Sequence, residues 1–375
     1  MPYDEILFKY AVLNIIIAFP SAFANKRKLV KAMKRTVPAL RNIAIEDSYI
    51  VSESTDAVEH ASMLTNVFGV EKIAIAKRVN SRFSDLCRAI VNVGTKLIIP
   101  GHTFHVKTVI QQSARHGYAS RDVEFAASGM LTARLAPINA QPAKNEEDAQ
   151  DLILVVVGKE WAYVCIQISD ARGGQVAGSN GPVLASIHGP LSLLSCLMAT
   201  RAGFEPTIVL PYTDEADLKR ITRLAQLFVT KTGIKKQRIL VMPINIPVKG
   251  TRARPMKEII ISKILYARGG YSRIVLPLAA ALHPLWLIEL IIQQAVSAKR
   301  TPFAPLMFMS DELVTHAQEL GIEEAYIFAE TITAKDEFQK YNSIIESATK
   351  VAVKSTKRLD LEVGPNYLHD ILDSI

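Results

Sequence analysis

Two hydrophobic periods alternate along the chain, and together they predict its elements. "EILFKYAVL" opens as a strand, and "NKRKLVKAMKRTVPALRNI" follows with Leu29, Val30, Met33 and Val37 at helical spacing. "DSYIVSE" predicts a short strand, "DAVEHASMLTNVFGV" a helix closing at Gly69, and "EKIAIAKRV" another strand. Strand and helix alternating five times in about 80 residues suggest a small ferredoxin-like module. A second α/β unit follows: helix "FSDLCRAIVNVGTKLI", strand "HTFHVKTVI", helix "SRDVEFAASGMLTARL" beginning near Ser120, the polar loop "PINAQPAKNEEDAQ", and a hairpin "DLILVVVGKEWAYVCIQI" turning at Gly158-Lys159.

"SDARGGQVAGSNG" is rich in glycine and serine and reads as a linker. Beyond it the period changes. "PVLASI", "PTIVLPY", "QRILVMPI" and "SRIVLPL" are nearly continuous apolar runs, and each precedes an amphipathic or apolar helix. That alternation predicts a doubly wound parallel sheet covered on both faces. The expected organisation is therefore an N-terminal module (1–75), a second α/β domain (76–170), a linker (171–181) and a C-terminal domain (182–375).

Charge changes the picture more than bulk composition does. The chain has 375 residues, 49% apolar and 21% charged, with a net charge of +8, which describes folded globular protein. Residues 1–120 carry 16 lysines and arginines against 9 acids, and residues 211–300 carry 16 against 5. Residues 121–210 (6 against 9) and 301–375 (6 against 13) are acidic. Two basic regions separated by a stretch without excess positive charge suit an extended polyanion held at two places. On the first helix Lys26, Arg27, Lys28, Lys31, Lys34 and Arg35 crowd the face opposite the apolar residues. Lys107, Arg115, Tyr118, Ser120 and Arg121 surround the strand-to-helix turn of the second domain, and their types suit phosphate contacts and base stacking. Lys249, Arg252, Arg254 and Lys257 occupy a loop and helix start in the third.

Candidate chemistry is sparse. Cys87, Cys165 and Cys196 are too widely spaced for a disulfide framework or a CxxC metal knuckle, and they fit a reducing, cytoplasmic setting. His102 and His105 sit three apart on a predicted strand, so they face opposite ways, and no metal set emerges. The acidic groups "EED", "TDEAD" and "LGIEE" read as caps and solvated faces, and no Ser/His/Asp arrangement has supporting context. "ILFKYAVLNIIIAFPSAFA" and "LPLAAALHPLWLIELIIQQAV" imitate membrane signals. Acidic residues and Lys9 in and before the first, and Pro277, His283, Pro284 and Glu289 in the second, make them buried elements rather than membrane segments.

The stretch "GPVLASIHGPLSLLSCLMATRAGF" passes from an apolar strand through a short Gly/Pro loop into an apolar helix, the layout of a phosphate-binding turn. The order of these segments resembles the ThiI family of tRNA 4-thiouridine synthetases, in which a ferredoxin-like domain, a THUMP RNA-binding domain and a PP-loop domain follow one another. "GGQVAGSNGPVLASIHGPLSLLSCLMATRAGF" resembles the family's GG-x-P-x-G linker running into its SGGxDSPVA loop. "HTFHVKTVI", "HGYASRDVEFAASG" and the hairpin resemble parts of a THUMP domain. Matched to SGGxDS, the loop becomes Ile187, His188, Gly189, Pro190, Leu191 and Ser192, so one glycine and the last serine survive and Leu191 replaces the aspartate. Pro190 lacks an N–H for a phosphate, and Leu191 cannot position magnesium. Ser192 is expected to cap the helix. The catalytic-domain cysteine chemistry that the family uses is missing, and "PLAAALHP" stands where a polar loop is expected after the fourth strand.

The resemblance therefore implies an RNA-binding protein for tRNA acceptor ends or another structured RNA, with a degenerate PP-loop and no cofactor. The alternatives are an active, diverged tRNA sulfurtransferase using ATP and magnesium, and a ribosome-associated factor binding rRNA. A homodimer is implied by the family alone.

Overall fold

The computed structural model describes residues 15–232, 236–308 and 341–362, with Thr315, Ala317 and Gln318 between the last two. The chain divides into two compact units, residues 1–174 and 175–375.

The first unit begins with β1 (Ile15–Pro20), α1 (Lys26–Thr36), β2 (Arg41–Ile45), β3 (Ile50–Glu53), α2 (Ala57–Leu64) and β4 (Val70–Asn80). Within its sheet the order β2-β3-β1-β4 is the ferredoxin-like one. The strand expected over "EILFKYAVL" lies outside the described residues, and the first described strand is "IIIAFP". Strand β2 has no apolar alternation: all five residues are exposed or half-buried at the sheet edge, so the sequence pattern passed over it. Helix α1 forms where its apolar spacing predicts. Leu29, Met33 and Val37 are buried, and Asn25 caps the helix by accepting a hydrogen bond from Lys28 N (3.1 Å).

Next come α3 (Phe83–Leu97), β5 (Thr103–Ile110), α4 (Ser120–Leu135), β6 (Gln141–Pro142), β7 (Asp151–Val157) and β8 (Trp161–Asp170). The boundary expected at residues 75 and 76 falls inside β4. That strand pairs with β1 on one edge and, antiparallel from Lys72↔Asp170 to Asn80↔Trp161, with β8 on the other. One eight-stranded sheet, β2-β3-β1-β4-β8-β7-β5-β6, thus runs through both halves of the unit. The continuous burial of Ile73, Ala74, Ile75 and Ala76 suits a strand in its interior.

The stretch expected as a linker is tied down. Ala171, Arg172 and Gly173 donate backbone hydrogen bonds to Glu71, Thr65 and Val70 of the first unit. Gln175 and Asn180 donate to Arg201 and Gly203 of the second. Gly203 is left-handed (φ +87°), and a Cβ there would lie 2.4 Å from Ser179 Oγ, so only glycine closes this turn.

The second unit alternates β9 (Pro182–Ser186), α5 (Pro190–Arg201), β10 (Glu205–Tyr212), α6 (Glu215–Thr232), β11 (Lys236–Pro243), α7 (Ala253–Ala267), β12 (Arg273–Val275), α8 (Leu285–Ser297) and β13 (Thr301–Phe303). Helix α9 (Asn342–Lys354) and β14 (Lys357–Glu362) follow. The sheet order is β13-β12-β9-β10-β11-β14, parallel from β13 to β11. The doubly wound parallel sheet is as expected, and β14 adds an antiparallel edge strand, paired with β11 from Lys236↔Glu362 to Val241↔Lys357. One core layer packs α5 and α6 against the sheet, and the other packs α7, α8 and α9. The chain steps outward from β9 to β10 and β11, then crosses back to β12, so the topological switch lies at the carboxyl end of β9. In such sheets that crevice is where ligands bind.

Candidate RNA interface and a filled phosphate loop

In the first unit, α1 turns Arg27, Lys28, Lys31, Lys34 and Arg35 to the surface. Lys26 is half-buried, and its ammonium donates to Glu46 O (3.0 Å) and Asp47 O. Asp47 in turn accepts from Ser113 N (3.1 Å), and the Ser113 hydrogen bonds hold its carboxyl below the usual carboxylate value. The β2–β3 turn therefore joins the start of α1 to the segment that carries Arg115, Tyr118, Ser120 and Arg121, bringing two separately recognised basic stretches together.

Not every member is arranged as expected. Arg115 and Arg121 are exposed. Lys107 forms an ion pair with Glu146, one of the acids expected to cap or to face solvent. Tyr118 is an anchor rather than an open stacking face: its hydroxyl donates to Ser81 O, and its ring lies between Phe83 (5.4 Å) and a stacked His116 (5.1 Å). Burial raises the pKa of that hydroxyl. Ser120 is the first residue of α4, after the N-cap Ala119. The exposed aromatics of this unit are Phe23 before α1 (85%), Phe125 on α4 (84%), and two near the hairpin. Trp161 is 44% exposed with the Arg78 guanidinium 5.2 Å over its ring, and Phe83 is 37% exposed beside Arg82. The sequence signal for Trp161 was its place directly after the hairpin turn, where an aromatic has no core to enter.

In the second unit, the loop after β9 is filled by its own side chains. Gly189 is the N-cap of α5 with extended backbone (φ −167°) that any residue adopts, and Pro190 is the first helical residue. Ser192 caps from inside the helix, at its third position, rather than as the N-cap. Its hydroxyl accepts from His188 N and Gly189 N (both 2.9 Å) and donates to Gly189 O (2.8 Å). Two of the N–H groups that a phosphate cradle would present, those of His188 and Gly189, are thus already bonded. Ile187 and Leu191 are core residues, at 0% and 1% exposure.

His188 is buried at the topological switch. Its Nδ1 is 3.1 Å from Ser186 Oγ, and its Nε2 is 2.9 Å from Glu258 Oε1 on α7. This serine–histidine–glutamate chain had no spacing to announce it, because its members come from two elements 70 residues apart. Burial would raise the pKa of the Glu258 carboxyl, but His188, with His283 and Lys257, lowers it to about 2. Burial lowers the pKa of His283, which follows β12. The acids of "TDEAD" cap as expected, Asp214 accepting from Asp217 N (2.9 Å) and Asp217 from Thr213 N (3.2 Å), but Asp217 also accepts from Arg220 (2.7 Å) and Lys257 (3.1 Å), and Arg220 donates to His188 O (2.8 Å). Burial opposes ionisation of Asp217, yet Arg220 and Lys257 lower its pKa.

Lys257 is therefore a structural partner, Arg254 is half-buried, and Lys249 and Arg252 are exposed. The segment "PLAAALHP" is buried at Leu278, Ala279, Leu282 and His283. All three cysteines are buried, and burial raises the thiol pKa of each, that of Cys165 to about 12. The "LGIEE" acids lie outside the described residues. Among the described residues, no helix is long and apolar enough to cross a membrane.

No family model matches the chain. It is similar to a probable tRNA sulfurtransferase of Thermoanaerobacter sp., 25% identical over 235 residues, 60% of this chain and 58% of that protein. It is 27% identical over 216 residues to the probable tRNA sulfurtransferase of Acetivibrio thermocellus, 54% of each. The chain thus spans between about half and six-tenths of the length of the curated relatives it matches. Among solved structures, a 4-thiouridine synthetase–RNA complex with bound ATP superposes with TM-score 0.70 at 14% identity, over 93% of this chain and all of that one. PH1313 from Pyrococcus horikoshii superposes with TM-score 0.63 at 15% identity, over 82% of this chain and all of that one. The fold is ThiI-like.

Proposed function

We propose that this chain, ThiI-like in fold, binds structured RNA, tRNA first, and performs no chemistry in its C-terminal unit. The observation that carries the reading is the contrast between the exposed cations of α1 and a phosphate-loop position whose polar groups are consumed internally. The relatives named probable tRNA sulfurtransferases and the neighbour solved with RNA support tRNA as the partner. The loop residues do not fit ATP with magnesium: Ser192 occupies the N–H groups of His188 and Gly189, Pro190 has none, and a buried Leu191 replaces the aspartate. Buried thiols with raised pKa values do not fit sulfur transfer either. In this reading the protein works in the cytoplasm with its tRNA.

Isothermal titration and fluorescence anisotropy test the proposal together. The expected result is tRNA binding that weakens steeply with salt, as released counterions require, and no heat with ATP and magnesium. ATP·Mg binding would overturn the inactive reading in favour of the diverged sulfurtransferase. Affinity indifferent to salt would remove RNA binding through the cations. Preference for rRNA fragments over tRNA would make the protein a ribosome-associated factor.

A further inference from the structure

The chain contains a single Asn-Gly pair, Asn180-Gly181, in the segment that precedes β9. Asn180 is exposed, and its side chain binds that segment to the end of α5. Its Nδ2 donates to Gln175 Oε1 (3.0 Å) and to Ala202 O (2.7 Å), the carbonyl of the residue that closes α5. The last carbonyls of a helix have no partner within it, so Asn180 caps α5 from outside. Backbone bonds complete the clamp: Asn180 N donates to Gly203 O (2.8 Å), and Arg273 Nη1 donates to Asn180 O (2.8 Å).

The same pair carries its own reactivity, for asparagine is among the thermolabile residues. The backbone nitrogen that follows an asparagine can attack the side-chain amide carbon, closing a five-membered succinimide and expelling the amide nitrogen as ammonia. Water then opens the ring to aspartate or isoaspartate, so one amide and one water become one carboxylate and one ammonium ion. Glycine favours the attack because no side chain shields its nitrogen. Gly181 is left-handed (φ +83°), and nothing lies within 4 Å of where a Cβ would stand, so this side of the pair is open to water. Two features hold the reaction back while the segment is closed. Gly181 N donates to Gly178 O (3.3 Å), and Nδ2 is fixed by its two acceptors.

We propose that Asn180 is a deamidation site, slow while residues 175–181 are clamped to the end of α5, and that its conversion unfastens the clamp. The product reverses the contact, because two N–H bonds give way to a carboxylate facing two acceptors. Gln175 can turn its amide and offer Nε2. Ala202 O has no such freedom, and it lies at the negative end of α5, where an anion is repelled. Isoaspartate also lengthens the backbone by one carbon and carries Gly181 N away from Gly178 O. Because ammonia leaves, the change runs one way. The inference is independent of what the chain binds.

The test is peptide mapping by mass spectrometry after the full chain has stood in mildly alkaline buffer, with the amide-to-acid mass gain read at each asparagine. The Asn180 peptide is expected to convert faster than any other asparagine peptide. Removing one acceptor in Gln175→Ala should speed it about fivefold, and unfolding the chain in urea should speed it further. Asn180→Asp is expected to lower the melting temperature more than Asn180→Ala, which loses the bonds without gaining the charge, and to speed amide exchange across residues 175–181. Conversion at Asn180 no faster than at the other asparagines overturns the site. Equal rates in the wild type, Gln175→Ala and the urea-unfolded chain overturn the clamp as the gate, and urea alone decides this if Gln175→Ala does not fold. Asn180→Asp as stable as Asn180→Ala overturns the release.

Discussion

Both units carry groups of polar and charged side chains, but they treat them in opposite ways. In the C-terminal unit nearly every group at the carboxyl edge is answered by a neighbour: Ser192 by the loop backbone, His188 by Ser186 and Glu258, and Asp217 by Arg220 and Lys257. In the N-terminal unit α1 displays a row of cations to solvent. A crevice whose groups are mutually satisfied has little left for a ligand, because binding must then break bonds already made. A surface with unspent charges gains from one. Sheet topology places a crevice in the doubly wound C-terminal unit, but saturation decides whether it remains a site.

The largest expected effect is on the saturated side. His188→Ala removes the direct hydrogen-bonded partner of Glu258, leaving its carboxylate only the weaker fields of His283 and Lys257, and should destabilise the C-terminal unit by about 3 kcal/mol in urea unfolding at neutral pH. Loss below about 1 kcal/mol would mean that the pair is not the keystone of the crevice. The same pair sets an acid dependence. The Glu258 carboxyl is lowered from 4.5 to about 2, so the stability it contributes is complete above pH 4.5 and lost as pH falls towards 2. Glu258→Gln should remove that acid-labile component from an unfolding series.

On the unsaturated side, Lys28→Glu with Lys31→Glu and Arg35→Glu should weaken tRNA binding roughly 10–100-fold at low salt and leave the melting temperature unchanged. Unchanged affinity would take α1 out of the interface. Arg300 sharpens the comparison from within the C-terminal unit, because its guanidinium is spent on the carbonyls of Tyr266 (3.3 Å), Arg268 (2.9 Å) and Tyr271 (2.5 Å). Arg300→Ala should cost about 2 kcal/mol of stability and nothing in RNA affinity, which separates a structural cation from a binding one. Ser192→Ala should cost only about 1 kcal/mol, read by denaturant titration. If it also created ATP binding, the hydroxyl alone would have been keeping the cradle closed.

Much of the fold was legible because the local pattern and the tertiary structure agree. The helical spacing of Leu29, Met33 and Val37 and the apolar runs of β9, β10 and β11 report the buried face directly. Strand β2 escaped because an exposed edge strand needs no apolar alternation, and β14 because its antiparallel pairing joins segments over 100 residues apart. The site was half legible. Charge crowding marked α1, and the missing glycines marked the loop. The partners that fill the loop, Glu258 and Arg220, carry no local signal at all.

By itself the sequence determined most of the helices and the buried strands, which helix faces are basic, and that Pro190 and Leu191 stand where N–H and carboxylate are expected. Those are properties of a residue and its near neighbours. Only the tertiary structure decided that one sheet runs through both halves of the first unit, that Asp47 joins α1 to the turn before α4, and which buried groups are satisfied. Hydrogen bonds and burial depend on what the chain brings back from far along its length, and no local pattern encodes that return.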